Sequence, residues 1–227
     1  MARLLRVEAL KVPHHITQRG NARRLVFESD NDRLVYLALI VQHAKHRGAT
    51  ILGYCLMPNH VHLILWPLRE GAMARTMRDT NGRYASYLNA RQGATGHVWQ
   101  GRYYSCPMDQ RHLWNALRYV ELNPVRAGLA TRAEDYAWSS ARSHLRSERD
   151  GVTDVHQWAS HWTTEGWREF VAECPADDEL IRESTHRGRP LGSADFVHRL
   201  ECQMKRRLTP GKGGRPKKQV AAAAALC

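Results

Sequence analysis

The chain reads as an α+β protein: an antiparallel sheet with helices packed against it, followed by a helical and basic carboxy-terminal extension. Three observations lead there. Two short segments, HHITQ at 14–18 and HVHLILW at 60–66, begin with polar positions spaced two apart, the period of a half-buried strand. Between them, Leu34, Leu37, Ile40, Val41 and Ala44 recur at helical spacing. Read along the chain, the elements run strand, helix, two strands, helix, strand, an order that suits an antiparallel sandwich.

The first strand, 14–18, meets a turn signal in Arg19-Gly20-Asn21, and LVF at 25–27 predicts a resumed strand. Ser29 or Asp30 can cap the first helix, whose buried side is read as Leu34, Leu37, Ile40, Val41 and Ala44, with Gly48 ending it. Residues 50–56 and 60–66 form two strands across a Pro-Asn turn. A second helix over 70–91 uses Met73, Met77, Tyr84 and Leu88, with Gly82 as a weak point. A short strand over 98–105 precedes a helix over 109–122, with Leu113, Ala116, Leu117 and Val120 on its apolar face. The result resembles a ferredoxin-like unit, with a boundary expected near Leu129.

Charge narrows the function. The net charge is +12 and the pI about 9.9, with 43% hydrophobic residues, so a polyanion is the expected partner. No apolar run approaches the roughly 20 residues of a bilayer span. The amino terminus lacks an apolar signal core, and five scattered cysteines without a CxxC pair fit a reducing cytoplasm. Nucleic acid becomes the leading partner. Residues 145–183 carry four Arg against ten acids, whereas 187–218 carry ten Lys or Arg against two acids. Three parts are therefore expected: 1–129, an acidic, Trp-containing helical segment 130–185, and a basic DNA-binding tail 186–227 with a low-complexity end.

The chemistry concentrates in two places. In MPNHVHLILW, His60 and His62 share one strand face while Val61 takes the other. In DQRHLWNALRYVELNPVRAG, Asn115, Tyr119 and Asn123 follow at i, i+4 and form a polar row that Pro124 ends. Two imidazoles and an amide can hold a divalent cation with positions open to phosphate oxygens. A neighbouring tyrosine could then attack and form a phosphotyrosine.

HITQRGNARRLVF (15–27), YCLMPNHVHLIL (54–65), GHVWQGRYYS (96–105) and YVELNPVRAG (119–128) resemble, in order and spacing, the HUH single-tyrosine transposases. The likeness is greater still to the REP-associated tyrosine transposases of bacteria. It implies the HUH nuclease fold, His60 and His62 as metal ligands, and Tyr119 as nucleophile. Asn123 stands at the third ligand position, which is glutamine in some relatives. It also implies Mg²⁺ or Mn²⁺, cleavage of single-stranded or hairpin DNA through a 5′-phosphotyrosine, and a cytoplasmic, nucleoid-associated protein.

Arg19, Arg23 and Arg24 around Gly20, and Gln100 and Arg102 beside Tyr103 and Tyr104, are candidate DNA-binding residues. Core packing competes for one of those tyrosines. Trp158, Trp162, Trp167 and Phe170 predict a helical hairpin packed on the catalytic part. In HRGRPLGS (186–193), Arg187 and Arg189 resemble an AT-hook core, and Arg215, Lys217 and Lys218 add a second basic cluster. A helix over 193–208 carries Phe196, Val197, Leu200 and Met204 on one face. Two other functions stay open: a catalytically idle DNA-binding regulator on the same scaffold, and a zinc-dependent hydrolase using HxH.

Overall fold

The polarity of HHITQR places His15, Thr17 and Arg19 on one side of a strand and His14, Ile16 and Gln18 on the other. In the computed structural model, which describes residues 6–173 and 177–209, this segment is β1 (His14–Arg19). The chain continues through α1 (Asp30–Arg47), β2 (Ala49–Met57), β3 (His60–Pro67), α2 (Ala72–Gln92) and β4 (Tyr104–Pro107). The four strands form one sheet in the order β2-β3-β1-β4, antiparallel throughout. The α+β, ferredoxin-like expectation is met.

Register assigns the two faces. Thr17 pairs with His62 and Arg19 with His60, so these four side chains share a face with Met57, Cys55, Tyr104 and Cys106 on the flanking strands. The opposite face presents Ile16, Tyr54, Leu56, Val61, Leu63 and Leu65, which pack under α1 and α2 with Tyr36, Ile40, Met73, Met77 and Tyr84. One face is thus sealed and mostly apolar, with His14 and Gln18 its buried polar members on β1. The other is apolar at one end and histidine-bearing at the other.

The second face is covered by α3 (Gln110–Glu121), α4 (Asn123–Arg126), α5 (Ala141–Leu145), α6 (His156–Ala159), α7 (Thr164–Ala172) and α8 (Asp178–Arg187). Leu113, Trp114 and Leu117 of α3 share one core with Ile64, Trp158, Trp167, Ile181 and Leu191. The expected tryptophan packing appears, and this core draws side chains from both sides of Leu129. Behind Tyr119, the buried Glu121 carboxylate receives Ser140 Oγ at 2.7 Å, His144 Nδ1 at 2.5 Å and Trp167 Nε1 at 3.1 Å. A buried carboxylate is tolerated where donors saturate it, and here they tie α3 to α5 and α7. Close approach of α3 also needs Gly53, next to the β2 bulge, where a Cβ would lie 2.3 Å from Leu117 Cδ1. Finally α9 (Ala194–Met204) lays Phe196 and Leu200 on Val7 and Ala9.

Several local expectations are corrected. LVF at 25–27 is not a strand: the Val26 and Phe27 amides both donate to Pro58 O, pinning the segment over the β2–β3 turn. The buried face of α1 is Asp32, Tyr36, Ile40 and Ala44, and Leu34 is 56% exposed. Ser29 caps α1 in a capping box, with Asp32 accepting from the Glu28 and Ser29 amides, and that turns the Asp32 side inward. The strand expected over 98–105 lies instead at Tyr104–Pro107, with Gly101 at a positive φ value breaking the extended run before it. Before it, only a bridge from Trp99 to Gly20 remains. Gly82 does not break α2.

Candidate active site

The histidines of β3 open into a cleft of about 610 Å³ between one face of the sheet, α3–α4 and α8. His60, His62, Tyr119 and Asn123 all line it, as do Arg19, Arg23 and Gln100. The sheet supplies the imidazoles by register. The helix supplies Tyr119 because α3 is anchored below that turn by Glu121 and Leu117.

His60 and His62 lie 4.9 Å apart by ring centres, at a steep mutual angle. Nδ1 of His60 is 2.6 Å from Asn59 Oδ1, and Nδ1 of His62 is 2.9 Å from His15 Nε2. Each ring therefore keeps Nε2 uncommitted to those partners. Burial, aided by Arg19, lowers the His60 pKa to about 4, and burial with His60, His15 and nearby arginines holds His62 well below the ordinary range. Both rings are neutral at pH 7, the state a metal ligand needs.

Tyr119 is 8% exposed, and its ring meets His15 and His62 edge-on at 5.7 Å from each. Arg126 lies over the ring, its Cζ 4.4 Å from the centre, donates to the Tyr119 carbonyl and pairs with Asp178 at 2.9 Å. Burial raises the phenol pKa, and Arg126 opposes that shift. Asn123 donates from Nδ2 to the Tyr119 carbonyl at 3.0 Å, leaving Oδ1 as its remaining donor atom for a ligand. Asn115 leaves the expected polar row: its amide donates to Asp177 Oδ2 at 2.6 Å, outside the cleft.

The other sequence candidates separate. Ala22 and Arg23 adopt left-handed backbone angles in the turn after β1, and Gly20 is required there because a Cβ would lie 2.4 Å from the Arg24 carbonyl. Arg24 itself turns away to Gln92. Arg102 is exposed and is not among the residues lining the cleft. Tyr104 lines the cleft against His186, whereas Tyr103 is buried with Arg6 stacked 3.6 Å over it. His97 is exposed and His112 bonds to the Asp109 cap of α3. The AT-hook likeness fails structurally: Arg187 ends α8 in an ion pair with Glu183, Gly188 caps it in the left-handed region, and Arg189 donates to the Leu208 carbonyl. An AT-hook needs an extended arm, and this stretch is folded. Arg215, Lys217 and Lys218 lie outside the described residues.

Sequence reasoning missed the far wall of the cleft. His15 and Thr17 come from β1, Arg126 from α4, and Asp178, Glu179, Arg182, Thr185 and His186 from α8. Alternation in HHITQR marks His15 and Thr17 as sharing a face with Arg19, but their facing His60 and His62 follows only from register. Nothing in an acidic helix some 60 residues past Tyr119 signals its return to the site.

Comparison with known proteins gives the family and the fold. Residues 8–123 match the transposase IS200-like family. A Haemophilus influenzae protein, named as a candidate REP-associated tyrosine transposase, is 23% identical over 118 residues, spanning 47% of this chain and 67% of its own length. A solved structure described as a REP-associated tyrosine transposase bound to a REP hairpin superposes with a TM-score of 0.55 at 16% identity. It covers 68% of this chain and 90% of that one, a likeness of fold. The family match runs from just before β1 to Asn123 and takes in the sheet, both histidines and the tyrosine; the chain belongs to the transposase IS200-like family.

Proposed function

We propose that this transposase cleaves and rejoins single-stranded DNA, in hairpin-forming repeats, through a covalent bond between Tyr119 and a 5′ phosphate. The observation that carries the reading is the convergence of His60, His62, Tyr119 and Asn123 on one cleft rimmed by Arg19 and Arg23. The solved relative bound to a REP hairpin supports the choice of hairpin DNA.

The donors fit a divalent cation, Mg²⁺ or Mn²⁺. Two neutral imidazoles with Nε2 available, and an amide with Oδ1 available, make an uncharged set that leaves room for phosphate oxygens. Asn123, four residues after Tyr119, lines the same cleft and offers the third donor. Bound there, the cation would polarise the scissile phosphate and offset its developing charge.

The chain's own residues do the rest. Arg19, Arg23 and Gln100 hold the strand by its phosphates and bases on the β1 side. The Tyr119 oxygen bonds to phosphorus as the bond from phosphorus to the 3′ oxygen breaks, and the phenol proton ends on the released 3′ hydroxyl. Arg126 eases that proton's departure, since a cation beside the phenol favours its ionised form. A 3′ hydroxyl attacking the phosphotyrosine reverses the exchange, so no nucleotide cofactor is consumed.

Labelled single-stranded hairpin DNA incubated with Mn²⁺ tests the reading on a denaturing gel. The wild-type chain is expected to form a covalent adduct, and Tyr119→Phe to lose it while binding DNA within about twofold. A full adduct from Tyr119→Phe would move the nucleophile to Tyr104, the other tyrosine lining the cleft.

A further inference from the structure

We infer that His15 and Thr185 are positioning residues that fix the tautomer of His62, so that its Nε2 carries the lone pair. The inference rests on the metal reading above for its purpose and on hydrogen-bond geometry for its content.

The chain of bonds has a direction. Thr185 Oγ1 lies 2.7 Å from the carbonyl of Ile181, one turn earlier in α8, and a carbonyl can only accept. The hydroxyl proton is therefore committed there. The same oxygen lies 2.8 Å from Nδ1 of His15, and with its proton spent it accepts, so His15 carries a proton on Nδ1. His15 is buried, and its ring nitrogens meet Thr185 and His62 rather than any carboxylate. A charged ring there would lack a counter-ion, so Nε2 is a bare acceptor. It sits 2.9 Å from Nδ1 of His62, which must then donate. The His15 and His62 planes agree within 1°, with ring centres 5.2 Å apart, much farther than the two nitrogens. They meet edge to edge in a shared plane, the geometry of an in-plane N–H···N bond and not of a face-to-face stack.

His62 thus holds its proton on Nδ1 and a lone pair on Nε2. His60 reaches the same state by a shorter route: its Nδ1 donates to Asn59 Oδ1, whose own amide nitrogen is turned to the Arg23 carbonyl. The reverse relay, with Thr185 donating to His15, would take the hydroxyl from Ile181 and place a proton on Nε2 of His62. No cation could then bind that nitrogen. Partners that orient a ligating imidazole in this way typically change metal affinity 10–100-fold when removed. A residue of α8, outside the matched family segment of 8–123, therefore prepares a ligand on β3.

Long-range proton–nitrogen correlation spectra of the ¹⁵N-labelled, metal-free full chain at pH 7 read the tautomers directly. A protonated Nδ1 and bare Nε2 on both His15 and His62 are expected. A protonated Nε2 on His62 overturns the relay. A second arm needs no assignment: Mn²⁺ titration of Thr185→Val is expected to show about tenfold weaker binding or worse, while Thr185→Ser, which keeps the hydroxyl, stays within about twofold of wild type. Equal affinity in the valine variant overturns the proposal. If the wild-type chain bound no Mn²⁺, the metal reading would fall and the spectra alone would decide the relay.

Discussion

His14 shows how a single buried imidazole sets a pH limit on the fold. It accepts from the Ala9 amide through Nε2 and lies 2.7 Å from the Val12 carbonyl through Nδ1, so it fits only as the neutral ring. Burial lowers its pKa from 6.5 to about 4, against the raising effect of the Val12 and Val7 backbone contacts. Between these values the unfolded chain binds the proton more readily than the folded chain. Stability is therefore full above pH 6.5 and falls as pH drops toward 4. We expect His14 alone to cost about 2 kcal/mol between pH 7 and pH 4.5. Urea unfolding at the two pH values should show a smaller drop in His14→Gln than in wild type. His15, lowered to about 3 by the same cause, adds to the loss in both proteins.

The helix that carries Tyr119 depends on contacts two residues to either side of it. Gly53→Ala would drive a methyl group into Leu117 at 2.3 Å, and α3 must shift or Leu117 must leave its rotamer. A loss of about 1–3 kcal/mol is expected on overpacking grounds. Adduct formation should fall further than stability explains, since a displacement of about 1 Å can cost 10²-fold in rate. Thermal melts run beside adduct assays would separate the two, and unchanged adduct yield in a destabilised variant would remove the positional argument. Much of this element was legible from residues: the apolar positions Leu113, Ala116, Leu117 and Val120, the start of the helix near 109, and the i, i+4 link from Tyr119 to Asn123 all reappear. Asn115 was misread because periodicity gives a face and not a partner, and Asp177 claims its amide. On α1, Ile40 and Ala44 are buried and Leu37 and Val41 pack on the same core as expected, but Leu34 is exposed because Asp32, a charged residue, is turned inward by its cap. Register, which sets His15 and Thr17 beside His60 and His62, is a pairing between distant segments that no single segment encodes.

Taken together, the described residues form two cores on one sheet, with the cleft where the second core gives out. No helix among them is long and apolar enough to cross a membrane. The basic segment divides at Thr209: up to there α9 packs on the amino-terminal stretch, and beyond it come Lys212, Arg215, Lys217 and Lys218. A chain ending at Thr209 keeps every described element, so we expect it to form the adduct on a short strand as the full chain does. If the removed cations contact DNA, each contributes about 0.7 to the log–log salt slope on single strands and about 0.9 on duplex. Binding measured across a salt series should thus show a shallower slope for the shortened chain, and equal slopes would exclude the terminal cations from the interface. The contact between His15 and Thr185 has a further consequence, in time. It joins residues 170 apart in the chain. At about 5–20 residues per second, synthesis takes roughly 3 to 12 s to run from Asn123 to Thr185. For those seconds the ribosome holds a chain with both histidines and the tyrosine already made, while His62 still lacks the support that α8 brings. A message broken off within α7 would leave its product in that state for good, carrying every cleavage motif around an unfinished site.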